Sequence, residues 1–81
     1  MDTWAIYVRE LTRDEPQDAV GRKVGVDGST ISRWRNGKVG KVVEVAALAR
    51  AYEDSVLRAF VAAGFLTAEE AKTPPPGRPD W

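Results

Sequence analysis

The sequence has no cysteine and no histidine among its 81 residues. Those two absences exclude disulfides, thiol catalysis and the usual zinc sites, and they match a reducing compartment. No phosphate-binding glycine loop is present, and no carboxylate pair is placed for acid–base work. An enzyme, a metal and a cofactor are therefore not expected. Long apolar runs are missing too. The longest nearly uncharged one, residues 59–66, falls far short of the roughly 18–20 residues that span a bilayer. The N-terminus, Met1, Asp2, Thr3, Trp4, has neither the basic stretch nor the apolar centre of a signal peptide, so a cytoplasmic protein is expected. A chain of this length fits one compact domain. It buries only about 60% of its unfolded surface, a marginal core that dimerisation would strengthen.

Net charge is also lacking, because twelve basic residues offset twelve acidic ones. The distribution is uneven, however. Between residues 22 and 41 stand six bases (Arg22, Lys23, Arg33, Arg35, Lys38 and Lys41) and one acid, Asp27. The rest of the chain carries six bases and eleven acids. Charges more than about 8 Å apart are largely screened at physiological salt, so a ligand meets the local surplus rather than the total.

The apolar spacing is helical throughout, with no strand signal and no repeat. Thr3 can cap a first helix bearing Trp4, Tyr7, Val8 and Leu11. Asp14, Glu15 and Pro16 break the chain and start a second helix, which runs to about residue 24. After a turn at residues 25–28 comes a short third helix, about 28–36, ended by Gly37. Val42, Val43, Val45, Ala46, Leu48, Ala49 and Tyr52 give a fourth helix a wide apolar stripe. Ser55 can cap a fifth helix carrying Val56, Leu57, Phe60 and Val61 and closing at Gly64. Thr67 and Glu70 have capping-box spacing and open a short sixth helix at 67–73. The proline-rich stretch 74–81, which ends in Trp81, is expected to be an extended tail. The fold class expected is all-α.

Residues 17–36 call for a single explanation. Two short helices joined by a tight turn must cross closely; Gly21 leaves the crossing unobstructed, and Gly25 accepts a positive φ. Val20, Val24, Val26, Ile31 and Trp34 can point inward. Outside the third helix remain Gly28, Ser29, Ser32 and Arg33, small or hydrogen-bonding, with Arg35, Asn36 and Lys38 at its far end. A helix entering a DNA major groove needs a slim N-terminal half and donors that reach base edges and phosphates.

These residues resemble the helix-turn-helix domain of Cro-type and repressor-type (XRE-like) phage regulators and their bacterial relatives. Gln17, Gly21, Gly25, the run Ser29, Thr30, Ile31, Ser32, Arg33, then Trp34 and the pair Asn36 and Gly37 carry the resemblance. Residues 48–52 look like that family's fourth helix, and about three quarters of the chain is covered. The resemblance implies a five-helix lambda-repressor-like domain at 1–66, in a sequence-specific double-stranded DNA-binding regulator, most simply a repressor. Gly28, Ser29, Ser32 and Arg33 would face base edges, with Arg33 the chief reader. Gln17, Arg35, Asn36, Lys38 and Lys41 would hold phosphates, and Gly21, Gly25, Ile31 and Trp34 would form the scaffold. Arg35 stands where the family usually has Glu or another polar residue, which adds charge near DNA at the expense of an internal salt bridge. Gly28 supplies no side chain at a position that often reads a base.

Leu57, Val61, Phe65 and Leu66 exceed what so small a core can bury. They are either core or a two-fold homodimer interface, and the second predicts a near-palindromic operator. An antitoxin or protein-interaction module, binding a protein through the C-terminal segment, is the alternative function. Trp4, Trp34, Tyr7 and Phe60 are expected in the core, which disfavours single-stranded nucleic acid as a ligand.

Overall fold

The computed structural model describes residues 3–72; the expected tail at 74–81 lies outside the described residues. Six helices follow one another, α1 (Thr3–Thr12), α2 (Gln17–Val24), α3 (Gly28–Arg35), α4 (Val42–Ala51), α5 (Val56–Ala63) and α6 (Ala68–Lys72), with no strand among the described residues. None of these helices is long and apolar enough to cross a membrane.

Local chemistry sets most of the boundaries. Pro16, with φ −59° and ψ 141°, sits just before α2, where its missing N–H has no helical acceptor to lose. Gly25 ends α2 at φ 94°, and its N–H and that of Val26 both donate to the Gly21 carbonyl, at 2.7 and 2.9 Å. The Ser55 hydroxyl accepts from Arg58 N–H at the start of α5, and Gly64 closes that helix at φ 86°. Thr67 and Glu70 cap α6 reciprocally, at 2.9 and 3.1 Å. Glu44 similarly accepts from the Lys41 N–H at the start of α4. Thr3 lies in the first turn of α1, where its hydroxyl donates to the Ala62 carbonyl of α5 and so ties the two helices together.

The core collects one face of every helix from α1 to α5: Trp4 and Val8, Val20, Ile31 and Trp34, Val45, Leu48 and Ala49, and Ala59. Trp4 and Trp34 meet edge to face with centroids 5.8 Å apart, and the Trp4 indole N–H donates to the Lys38 carbonyl at 2.7 Å. That bond anchors the α3–α4 loop to α1. Tyr7, Leu11, Val24, Val26 and Phe60 pack against this cluster but are only partly buried. The stripe expected on α4 is narrower than its sequence suggests. Val45, Ala46, Leu48 and Ala49 face inward; Val43, 78% exposed, lies on the outer side of the helix, and Val42, in the row of Val45, Ala46 and Ala49, is 52% exposed because it is the first residue of α4.

Candidate nucleic-acid interface

The α2–α3 pair is held by a close approach. A Cβ at Gly21 would lie 2.5 Å from the Val26 carbonyl oxygen and 3.2 Å from the backbone of Asp27 and Gly28. Only a residue without a side chain lets the turn fold back this tightly over α2. Ile31 and Trp34 then enter the core and fix the rotation of α3 about its axis. The residues one helical turn apart at 29, 33 and 36 are left on the outside, and Ser29, Arg33 and Asn36 are all exposed. Gln17, at the start of α2, and Lys38 and Lys41, in the following loop, are exposed as well. Beside this stripe a cleft of about 220 Å³, lined by Thr30, Arg33, Trp34, Lys38, Gly40 and Lys41 among others, brings three cations together.

Two expected contact residues turn away from the stripe. Gly28 is half-buried, and a Cβ there would fall on the Asp18 carboxylate of α2, so its position faces the neighbouring helix and not the outside. Arg35 likewise points inward. Its Nη2 donates to Thr12 Oγ1 at 3.0 Å and to the Glu15 carbonyl at 2.7 Å, while its Nε is buried without a partner. The guanidinium therefore joins α3 to the end of α1, in place of the phosphate contact expected of it. The helical period explains both departures. Positions 28, 32 and 35 form the row next to the exposed stripe, turned towards α1 and α2, and Ser32 on that row is half-buried too. Asn36 stays exposed, but its side-chain amide donates to the Ser32 carbonyl at 2.8 Å and caps the end of α3.

A second cation is also withdrawn. Lys23 pairs with Glu15 at 2.6 Å and lies 5.1 Å above the Tyr52 ring centroid. Glu15 accepts in addition from the Tyr52 hydroxyl at 2.6 Å. These two hydrogen bonds hold the Glu15 carboxyl below its ordinary pKa. Burial and the bond to Glu15 push the Tyr52 hydroxyl well above its own. Tyr7, midway along α1, and Asp54 repeat the arrangement, with a 2.7 Å bond. Burial raises Tyr7, again with help from its carboxylate partner. At Asp54 burial pushes upward, but the Tyr7 hydroxyl, the Ser55 N–H and Arg58 outweigh it and hold the carboxyl low. Of the six bases between residues 22 and 41, Arg22, Arg33, Lys38 and Lys41 thus remain exposed with no ion-pair partner among the described residues.

Sequence reasoning missed the Glu15 node and the packing of Gly40, where a Cβ would come within 2.9 Å of the Trp34 ring. An acid in an interhelical turn and a glycine in a loop carry no signal of such contacts unless the fold is known.

Leu57 and Phe65, offered as core or interface, are 48% and 39% exposed, and Val61 and Leu66 are half-buried. None of the four packs into the main cluster. Leu57 and Val61 help to line an open apolar groove of about 480 Å³ with Tyr7, Ala62, Ala68 and Ala71. The described residues hold no cluster of carboxylates, histidines or cysteines fit for a metal ion. Searches against protein-family models, curated proteins and solved structures found no match for this chain.

Proposed function

We propose that the protein is a sequence-specific double-stranded DNA-binding regulator with a lambda-repressor-like helix-turn-helix. In this reading α3 enters the major groove and Arg33 reads guanine. The observation that carries it is the exposed stripe Ser29, Arg33 and Asn36, slim at its N-terminal end and flanked by the unpaired cations Arg22, Lys38 and Lys41. A helix held this way can seat its first turns against base edges while Gln17, Lys38 and Lys41 meet the phosphates on either side. Arg33 suits a bidentate contact with guanine O6 and N7, worth about 1–3 kcal/mol of discrimination. Leu57, Phe65, Val61 and Leu66 supply the face on which two copies pair, so that two half-sites about one DNA turn apart are read together. Occupying an operator in this way represses transcription.

The test is enrichment from a random duplex library at physiological salt, with Arg33→Ala in parallel. A single enriched motif that loses one guanine position in the variant is the result expected. No enrichment below about 10 μM, far above the usual specific range of about 10⁻⁸–10⁻¹¹ M, overturns the reading.

A further inference from the structure

The Asp18 carboxylate is an acid without a partner among the described residues, on a mostly basic surface. It projects from the first turn of α2, is exposed, and lies against Gly28 at the start of α3, one residue before the outward stripe begins. Among the described residues no cation and no hydrogen-bond donor engages it; Arg22, one turn further along α2, does not come within ion-pair distance. Asp27, the residue before Gly28, is a second exposed acid, whereas the charges exposed on the stripe and in the loop after α3, Arg33, Lys38 and Lys41, are positive. An unpaired carboxylate here would weaken contact with phosphates, unless it meets a donor that only the interior of the groove provides.

The space that holds the carboxylate exists because residue 28 is glycine. A side chain at that position would displace Oδ1 and crowd the Asp18 Cα at 3.3 Å. The space beside the first residue of α3 is thus filled by a side chain from α2 that is itself exposed. A carboxylate only accepts hydrogen bonds. In the major groove the donors are the amino groups of cytosine (N4) and adenine (N6), and an acidic side chain pairs with cytosine N4.

We infer that Asp18 is a specificity-determining residue that accepts from the amino group of a cytosine in the major groove, beside the start of α3, where Gly28 leaves room for its carboxylate. The inference rests on the DNA-binding reading above. It adds a second base-reading residue from a different helix, placed against Gly28, five residues before Arg33. Gly28 contributes by its absence of a side chain and Asp18 by its charge.

The experiment is motif enrichment from the random duplex library with wild type, Asp18→Ala, Asp18→Asn and Gly28→Ala. Arg33→Ala serves as the control that reports DNA reading itself. The wild-type motif is expected to hold a cytosine at a position distinct from the guanine lost in Arg33→Ala. Asp18→Ala flattens that cytosine preference by roughly tenfold and spares the guanine. Asp18→Asn, nearly isosteric and able to pair bidentately with adenine, moves the preference at the same position from cytosine to adenine. Gly28→Ala, which displaces the carboxylate without removing it, flattens the same position. A uniform rise in affinity on Asp18→Ala, with every position of the motif unchanged, overturns the inference and leaves the regulator reading standing. A wild-type protein that enriches no motif overturns both.

Discussion

Replacing Arg35 by alanine separates a structural arginine from a DNA-binding one. The guanidinium makes two hydrogen bonds through Nη2, to Thr12 Oγ1 and to the Glu15 carbonyl. Thr12 is 1% exposed, and its hydroxyl proton is already given to the Val8 carbonyl, so its free lone pairs have only Arg35 to meet. Hydrogen bonds from a charged group contribute about 1.5–3 kcal/mol each, and part of that is lost here because the side chain is only half-buried. Against them stands the Nε, buried without a partner, whose desolvation costs about 1–3 kcal/mol and is relieved when the side chain is removed. The expected net loss is about 1–3 kcal/mol. At about 4–8 °C per kcal/mol for a domain of this size, thermal unfolding followed by circular dichroism should drop by roughly 5–20 °C. Arg35→Lys should recover little of this, since an ammonium cannot reproduce the planar fork. The dependence of DNA affinity on salt should keep its wild-type slope, whereas Lys38→Ala should lower that slope by about one. If Arg35→Ala melts within a degree or two of wild type and flattens the slope as Lys38→Ala does, the inward bonds carry no weight and Arg35 is a phosphate contact.

Other substitutions and pH test separate parts of the structure. Gly21→Ala gains helix propensity but sets a methyl against the backbone of the turn; about 1–3 kcal/mol of destabilisation should appear in urea unfolding, and a stabilised variant would refute the close crossing. Asp54 and Glu15 have folded pKa values below their ordinary ones, so the stability they supply is present above the normal carboxylate range and is lost as pH falls through the lower, folded values. Tyr7 and Tyr52 are shifted the other way, so the fold should also weaken above pH 10.0, as the unfolded tyrosines ionise first. Melting curves across pH should show both limbs, and Tyr7→Phe together with Tyr52→Phe should flatten the alkaline one. Leu57→Lys should leave the melting temperature of a dilute sample near wild type and shift sedimentation towards monomer; unchanged sedimentation would exclude that face from pairing.

The helices were legible in the sequence because their punctuation is local: proline before α2, glycine after α2 and α5, and the capping box of α6 all act within one turn of chain. The buried half of the core was legible for a similar reason, since Trp4, Val8, Ile31, Trp34 and Leu48 follow the helical period. What could not be read was which side of each period meets a neighbour. Val42 and Val43 share the apolar character of Val45, and only the packing of α4 shows that its first turn runs past the core and leaves both exposed. Arg35 was assigned by charge, although two residues along a helix turn a side chain by about 200° from Arg33. The period alone set the two arginines on opposite faces. The direction of each face depends on Ile31 and Trp34 being the buried pair. The inward hydrogen bonds of Arg35 depend on Thr12 and Glu15, more than twenty residues away for the first.

This geometry also bears on why a second copy matters to the proposed function. The outward stripe presents one residue per turn, Ser29, Arg33 and Asn36, and Asn36 already spends a donor on the Ser32 carbonyl. One arginine and one or two smaller readers, at about 1–3 kcal/mol for each good base contact, reach only the lower part of the roughly 4–10 kcal/mol that separates specific from non-specific binding. The free cations add affinity for any sequence and so do not widen that gap. Joining two copies would double the number of bases read. Leu57, Phe65, Val61 and Leu66 are among the apolar side chains that the small core leaves outside, and they lie together on α5 and the turn after it. Under the proposed function, a core of this size and a reading stripe of this width would be insufficient in the same way, and pairing two chains through α5 and the turn after it would relieve both.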